Sequence, residues 1–321
     1  LRGIFTLFRK ELEDHFSSVR FLLICALIVM VGVIVASMVG MGIQEESKGM
    51  AKPTLLFLWL FTSTGKLFSF VQFIGFFGPL IGIFLGFDSI NRERVSRTLS
   101  KLASQPIYRD SIINAKFLAG LTTIAIVLVG IVLIISGLGI RLIGVVPGSE
   151  EVLRLAIYVV TSILYVSFWL GIAILFSVVF RSTATSALAS LAVWIFFSFF
   201  VGLGAGFVAD AVAPINQSGS NVDPSVLIKH EEVQRSVSYL SPMTLYNDAT
   251  TTILDPTRKT TRGVVFVGPL ERLSLSRFQN PLPLLQSLII VWPFLVSIVA
   301  ITFLCFGVCY LVFMRQEIRT V

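Results

Sequence analysis

Residues 21–43, FLLICALIVMVGVIVASMVGMGI, form 23 consecutive positions without a charged side chain. A helix of about 20 apolar residues crosses the roughly 30 Å of hydrocarbon in a bilayer, so a run of this length constrains the fold more than any motif does. Five more stretches follow at 67–87, 112–138, 153–179, 184–208 and 284–313, each with at most one charged residue. Lipid offers no partner for backbone N–H and C=O groups, so a spanning segment must satisfy them internally. Runs this long are helices rather than the short strands of a barrel. The expected fold is an all-α membrane protein with six transmembrane helices. Composition agrees, with 55% hydrophobic and 13% charged residues.

Six spans place both ends of the chain on one side. The short segments on that side, 1–20, 88–116, 180–183 and 314–321, hold 13 Lys and Arg, against 5 in the opposite segments 44–66 and 139–154. Basic residues are retained in the cytoplasm, so both termini are expected there, in a multi-pass protein of a prokaryotic cell membrane. The formal charge of +7 is spread over the ends of apolar runs. No basic stripe interleaved with aromatics is present, so anionic lipid rather than nucleic acid is the expected counter-charge.

In chain order, residues 1–20 place Ile4, Phe5, Phe8, Leu12, Phe16 and Val19 at helical spacing, which predicts a helix along the membrane surface. It is too charged for a secretory leader. Trp59 suits an interfacial helix over 54–65. Gly78, Gly82 and Gly86 recur every four residues in span 2, with Gly75 just before. That stripe fits a close helix approach, either a moving or dimerising interface or ordinary packing within the chain. Pro79 and Pro293 are expected to kink spans 2 and 6. Arg181-Ser182-Thr183 alone joins spans 4 and 5, which therefore form an antiparallel hairpin. Residues 1–208 thus hold the surface helix and five spans, and 284–321 the sixth with a cytoplasmic tail. Residues 209–283 lack a run of spanning length and read as an extracytoplasmic loop or small subdomain. Val226, Val233, Val237 and Leu240 suggest one amphipathic helix in it, and GVVFVG a short strand.

Several activities lack their residues. No carboxylate or His stands near the middle of a span, which disfavours ion-coupled transport. There is no phosphate-binding G-x-x-x-x-G-K-[ST] loop, G-x-S-x-G elbow or H-E-x-x-H helix, so the chain is not expected to be catalytic or to bind a cofactor or metal. Cys25, Cys305 and Cys309 all lie in apolar runs and read as packing residues. His15 and His230 are the two histidines, far apart in sequence.

The remaining feature is a charged island between spans 2 and 3, GFDSINRERVSRTLSKLASQPIYRDSIINAKFLAG, residues 86–120. As a helix, Ile90–Ser104 turns Val95, Leu99 and Leu102 toward the bilayer. Glu93, Arg94, Arg97 and Lys101 then face the cytoplasm. Lys116 can snorkel to the headgroups. Such a helix either docks a soluble partner or is a linker whose basic residues only set orientation.

This island resembles the signature of ABC-2-type transporter permeases in Gly86, Phe87, Asp88, Glu93, Arg94, Thr98, Leu99, Pro106, Arg109, Lys116 and Phe117. FRKELED at 8–14 and LSPMTLYNDA at 240–249 also look like that family, closest to the branch of the permease for nitrous-oxide-reductase maturation. The resemblance implies two permease copies, identical or close paralogues, each gripped by a separate cytoplasmic ATP-binding subunit that holds ATP and Mg²⁺. It makes residues 1–20 an elbow helix. The coupling helix that meets the ATPase would carry Arg92, Glu93, Arg94, Arg97, Thr98 and Lys101. The role implied is ATP-driven export or extracytoplasmic maturation. The alternative is a transducer that passes motion, without cargo, to an extracytoplasmic protein at 209–283.

Overall fold

The computed structural model describes residues 2–46, 55–62, 69–96, 108–214, 224–256 and 282–315. It is all-helical, with six helices long and apolar enough to cross a membrane. Helix α1 (Arg2–Ser17) breaks at Ser18 and leads into α2 (Val19–Glu46). A 3₁₀ turn over Leu56–Leu58 and the short α3 (Trp59–Thr62) precede α4 (Phe70–Gly86) and α5 (Asn91–Val95). Next come α6 (Arg109–Ile143) and α7 (Ser149–Val179). The fifth span is α8 (Thr183–Ile195), a wide π turn over Phe196–Phe200, and α9 (Val201–Val212). Helices α10 (Pro224–Ser238) and α11 (Pro242–Leu254) precede α12 (Leu284–Arg315). Arg97, Thr98, Lys101 and the GVVFVG segment lie outside the described residues.

Local chemistry places the boundaries. Ser69 caps α4, its hydroxyl accepting from the Gln72 N–H at 3.2 Å while Gln72 accepts from the Ser69 N–H at 3.1 Å. Gly144 ends α6 in the left-handed conformation, φ 68°, which a residue with a Cβ adopts only with strain. Only Phe180, Arg181 and Ser182 separate α7 from α8, so these two run antiparallel.

Helix α7 is the axis of the packing. Tyr158, Tyr165, Val166, Trp169 and Ala173 on it are buried against α4, α6, α11 and α12, whereas α8–α9 is largely exposed. The end of the bundle that carries α1, α5, the start of α6 and the end of α7 is called proximal here, and the opposite end distal.

Residues 224–254 form a helical hairpin packed beside the spans. Helix α10 returns along α9, with His230 Nε2 and Asp210 Oδ1 2.9 Å apart. The turn that follows reaches halfway down the fifth span, where the Ser241 hydroxyl donates to the Phe197 carbonyl at 2.8 Å. Helix α11 then climbs back beside α7. Tyr246 stacks on Tyr165 at 4.4 Å, and its hydroxyl lies 2.8 Å from the Ser162 hydroxyl. Two charges of this hairpin pair across its arms, Arg235 Nη2 lying 3.1 Å from Asp248 Oδ2. Pairing lowers the cost of placing them beside apolar spans.

At the distal end one guanidinium gathers several strands of chain. Arg154, fully buried, pairs with Glu150 at 2.8 Å. It also donates to the carbonyls of Ile253 at 2.7 Å and Leu282 at 2.6 Å, and to the Ser287 hydroxyl at 3.2 Å. Beside it, the Leu282 N–H donates to the Pro256 carbonyl at 2.9 Å.

Candidate functional site

The charged island meets the rest of the molecule at the proximal end, and the meeting point is Lys116. This residue sits two turns into α6, where its ammonium turns inward instead of snorkelling toward headgroups. It lies 2.9 Å from Glu11 Oε1 of α1 and 3.1 Å from Glu93 Oε1 of α5, all three side chains being at least nine-tenths buried. Lys10 approaches the same two oxygens at 3.5 Å from the solvent side. The three helices are thus joined by buried charge. Removing the shared cation from such a set leaves its carboxylates uncompensated, which costs about 3–5 kcal/mol.

Helix α1 presents Leu7 and Glu11 to the bundle, while Phe5 and Phe16 face out, as a helix lying between protein and lipid requires. Burial would raise the Glu11 carboxyl, but the ammonium of Lys116 and its hydrogen bond, with Lys10 beyond, hold it below the ordinary carboxylate range. Burial lowers the His15 imidazole, and the nearby Lys116 and Arg92 reinforce this against the carboxylates of Glu11 and Asp14. A cleft of about 890 Å³ opens here, lined by Lys10, Asp14 and His15 on one wall and Asp88, Arg92 and Ser96 on the other.

The second attachment of α5 is to α7. The backbone N–H groups of Ile90 and Asn91 both donate to the Ser177 hydroxyl, at 3.0 and 3.1 Å. The Arg94 guanidinium donates to the carbonyls of Val178 and Phe180 at 3.3 Å each, satisfying acceptors that the helix end leaves open. Any displacement of α5 therefore pulls on α1, α6 and α7 together.

The expected interface residues accordingly divide. Arg92 is exposed at the cleft, Glu93 is buried against Lys116, and Arg94 caps α7. The amphipathic reading turns Val95 toward the bilayer and Glu93 outward. In the structure Glu93 turns inward instead, 6% exposed, because Lys116 draws its carboxylate into the bundle. Glu11 and Ser177 are parts of this joint that the sequence reading does not single out. The signal for Glu11 is its place within FRKELED.

The four glycines of span 2 all face α7 or α11 of the same chain. A Cβ on Gly75 would stand 2.5 Å from Asn247 Oδ1, and one on Gly78 3.0 Å from the Val166 side chain. At Gly82 it would meet the Val166 carbonyl oxygen at 2.5 Å, and at Gly86 the Ala173 Cβ at 2.7 Å. The helices approach as closely as backbones permit.

The chain has no match among curated proteins. A family model described as ABC-2 family transporter protein matches residues 5–318, covering the surface helix, all six spans and both halves of the joint. This chain therefore belongs to the ABC-2 family of transporter membrane proteins.

Proposed function

We propose that the chain is the permease subunit through which a separate cytoplasmic ATP-binding subunit drives export, or maturation of a protein outside the cell. The observation that carries this reading is the buried Glu11–Lys116–Glu93 joint. In this reading α1 is the elbow helix, and α5, with Arg97, Thr98 and Lys101 beyond it, belongs to the coupling helix. Both termini are then cytoplasmic, in a prokaryotic cell membrane, and ATP and Mg²⁺ belong to the partner. Closure of two ATPase subunits would push α5, which hands the motion to α6 through Lys116 and to α7 through Ser177 and Arg94. The resemblance to the permease of nitrous-oxide-reductase maturation fits an extracytoplasmic protein as the recipient.

The experiment is co-purification with the ATP-binding subunit. Reversal of Arg92, Arg97 and Lys101 to Glu is expected to lower recovery of the ATPase at least several-fold while the permease itself stays in the membrane. Undiminished recovery would overturn the reading.

The transducer reading has one observation in its favour. The interior of the single chain is filled by buried rings, Tyr165 stacking on Tyr246 and Phe70 tilted against Tyr158. ATPase stimulation by an extracytoplasmic protein, with no solute moved in sealed vesicles, would select it.

A further inference from the structure

Between the tip of the α10–α11 hairpin and α12 lies a groove of about 630 Å³, separate from the proximal cleft. Its walls are Phe168, Phe197, Tyr239, Pro242, Phe294 and Leu304, and its lining is almost entirely carbon. Phe197 stands midway along the 30 residues from Thr183 to Val212, and Phe168 lies past the middle of α7. At 1.5 Å per helical residue the groove sits in the hydrocarbon core, where the surrounding molecules are acyl chains.

The distal rim is different. The Tyr239 ring packs on Phe294 at 5.2 Å, while its hydroxyl accepts from Arg235 Nε at 2.6 Å and lies 3.4 Å from Asp248 Oδ2. Arg235 and Asp248 neutralise one another at 3.1 Å. An apolar trough thus begins at a neutral polar cluster near the distal headgroups and runs toward mid-membrane. We propose that this groove holds an acyl chain of a distal-leaflet lipid, with the glycerol region of that lipid at the Arg235–Tyr239–Asp248 rim.

The physical case is contact rather than desolvation. Lipid tails are as apolar as the groove, so no hydrophobic transfer is gained. A groove walled by Phe168, Phe197, Tyr239 and Phe294 offers a chain more contacts than a flat helix face, however, and left unfilled it would forfeit them. A second copy of the chain is the weaker occupant. The bare Phe196, Phe200, Leu203 and Phe207 stripe of the fifth span points elsewhere on that helix than Phe197. The proposal stands apart from the ATPase reading and needs no partner subunit.

The test uses the full chain in nanodiscs of phosphatidylethanolamine and phosphatidylglycerol, doped with a phosphatidylcholine that carries a mid-chain diazirine. After photolysis, adducts are expected several-fold more often on 239–245 and 293–304 than at the equally bare Leu188 and Phe207. Ser297→Trp, which fills the trough, should remove the excess and leave Phe207 labelled as before. Equal labelling at all sites would overturn the proposal in favour of an ordinary lipid annulus. Absence of groove adducts would overturn it in favour of coverage by a second copy. The adduct ratio on the unaltered chain decides the matter even if the tryptophan variant fails to fold.

Discussion

Lys116 is held by two carboxylates, and the asymmetry of that arrangement is testable one residue at a time. Glu11→Gln leaves the ammonium paired with Glu93, so the loss is expected to be about 1–3 kcal/mol. Lys116→Met instead leaves Glu11 and Glu93 facing each other in a buried site, for which about 3–5 kcal/mol is expected. Thermal unfolding in detergent should rank Lys116→Met well below Glu11→Gln. Acid acts on the same joint. The Glu11 carboxyl is depressed in the folded state, so its stabilisation is complete above the ordinary value of 4.5 and is lost as pH falls through the folded one. The His15 imidazole is also depressed, below its ordinary 6.5, so the unfolded chain binds that proton first and stability declines as pH drops below 6.5. Docking of α1 should therefore loosen progressively from pH 6.5 downward, read as labelling of a Leu7→Cys variant, and His15→Gln should remove the upper part of the profile. The residue chemistry was partly legible beforehand. Glu93 and Lys116 both belong to the charged island, but their contact across 23 positions follows from how α5 folds back, which periodicity does not encode.

At the scale of elements, the seam between α4 and α7 relies on absent side chains. Gly82→Ala would press a methyl against the backbone of Val166 and Leu170, with contacts of 2.5 and 2.9 Å, and backbone cannot step aside as a rotamer can. Separation of the two helices should cost about 1–3 kcal/mol. Gly202 of α9 has open space around its Cβ position, so Gly202→Ala should be neutral or stabilise by about 0.5–1 kcal/mol through helix propensity. The two melting temperatures should move in opposite directions or differ clearly in size. The glycine period was visible in the sequence as a helix contact, and what it could not name was the partner. Helix α11 illustrates the opposite case. Asn247 and Asp248 interrupt its apolar pattern and argue for a loop, yet Tyr246, Ala249 and Ile253 are buried beside α7. Arg235 answers Asp248 from the other arm of the hairpin, a compensation formed only in three dimensions.

For the whole molecule, the number of spans was readable because hydrocarbon thickness sets a length that few other structures require. Most of the described helices extend those runs, α6 covering Arg109–Ile143 where 112–138 is expected, since helices continue past the hydrocarbon until a cap ends them; α4, capped by Ser69, is the exception. How the spans pack was not readable, because apolar residues face lipid and protein alike. Among them the fifth span is the least covered, with Phe196, Phe199, Phe200, Leu203 and Phe207 all bare on one side. In the membrane such a patch meets either acyl chains or another helix. A second copy of the chain is the expected cover, and a Phe199→Cys variant should form a copper-catalysed dimer in membranes, whereas Leu285→Cys on α12 should remain monomeric.

The Arg154 cluster has a consequence for how such a protein can diversify. Pro256 and Leu282 are bonded to each other, and Leu282 and Ile253 share one buried guanidinium, so two points well apart in sequence are stapled side by side. The entropy of closing a loop between two such points rises only slowly with its length. The staple can therefore keep its shape when the sequence between 256 and 282 is lengthened, trimmed or exchanged. An insertion at that point is then expected to leave the joint around Lys116 untouched.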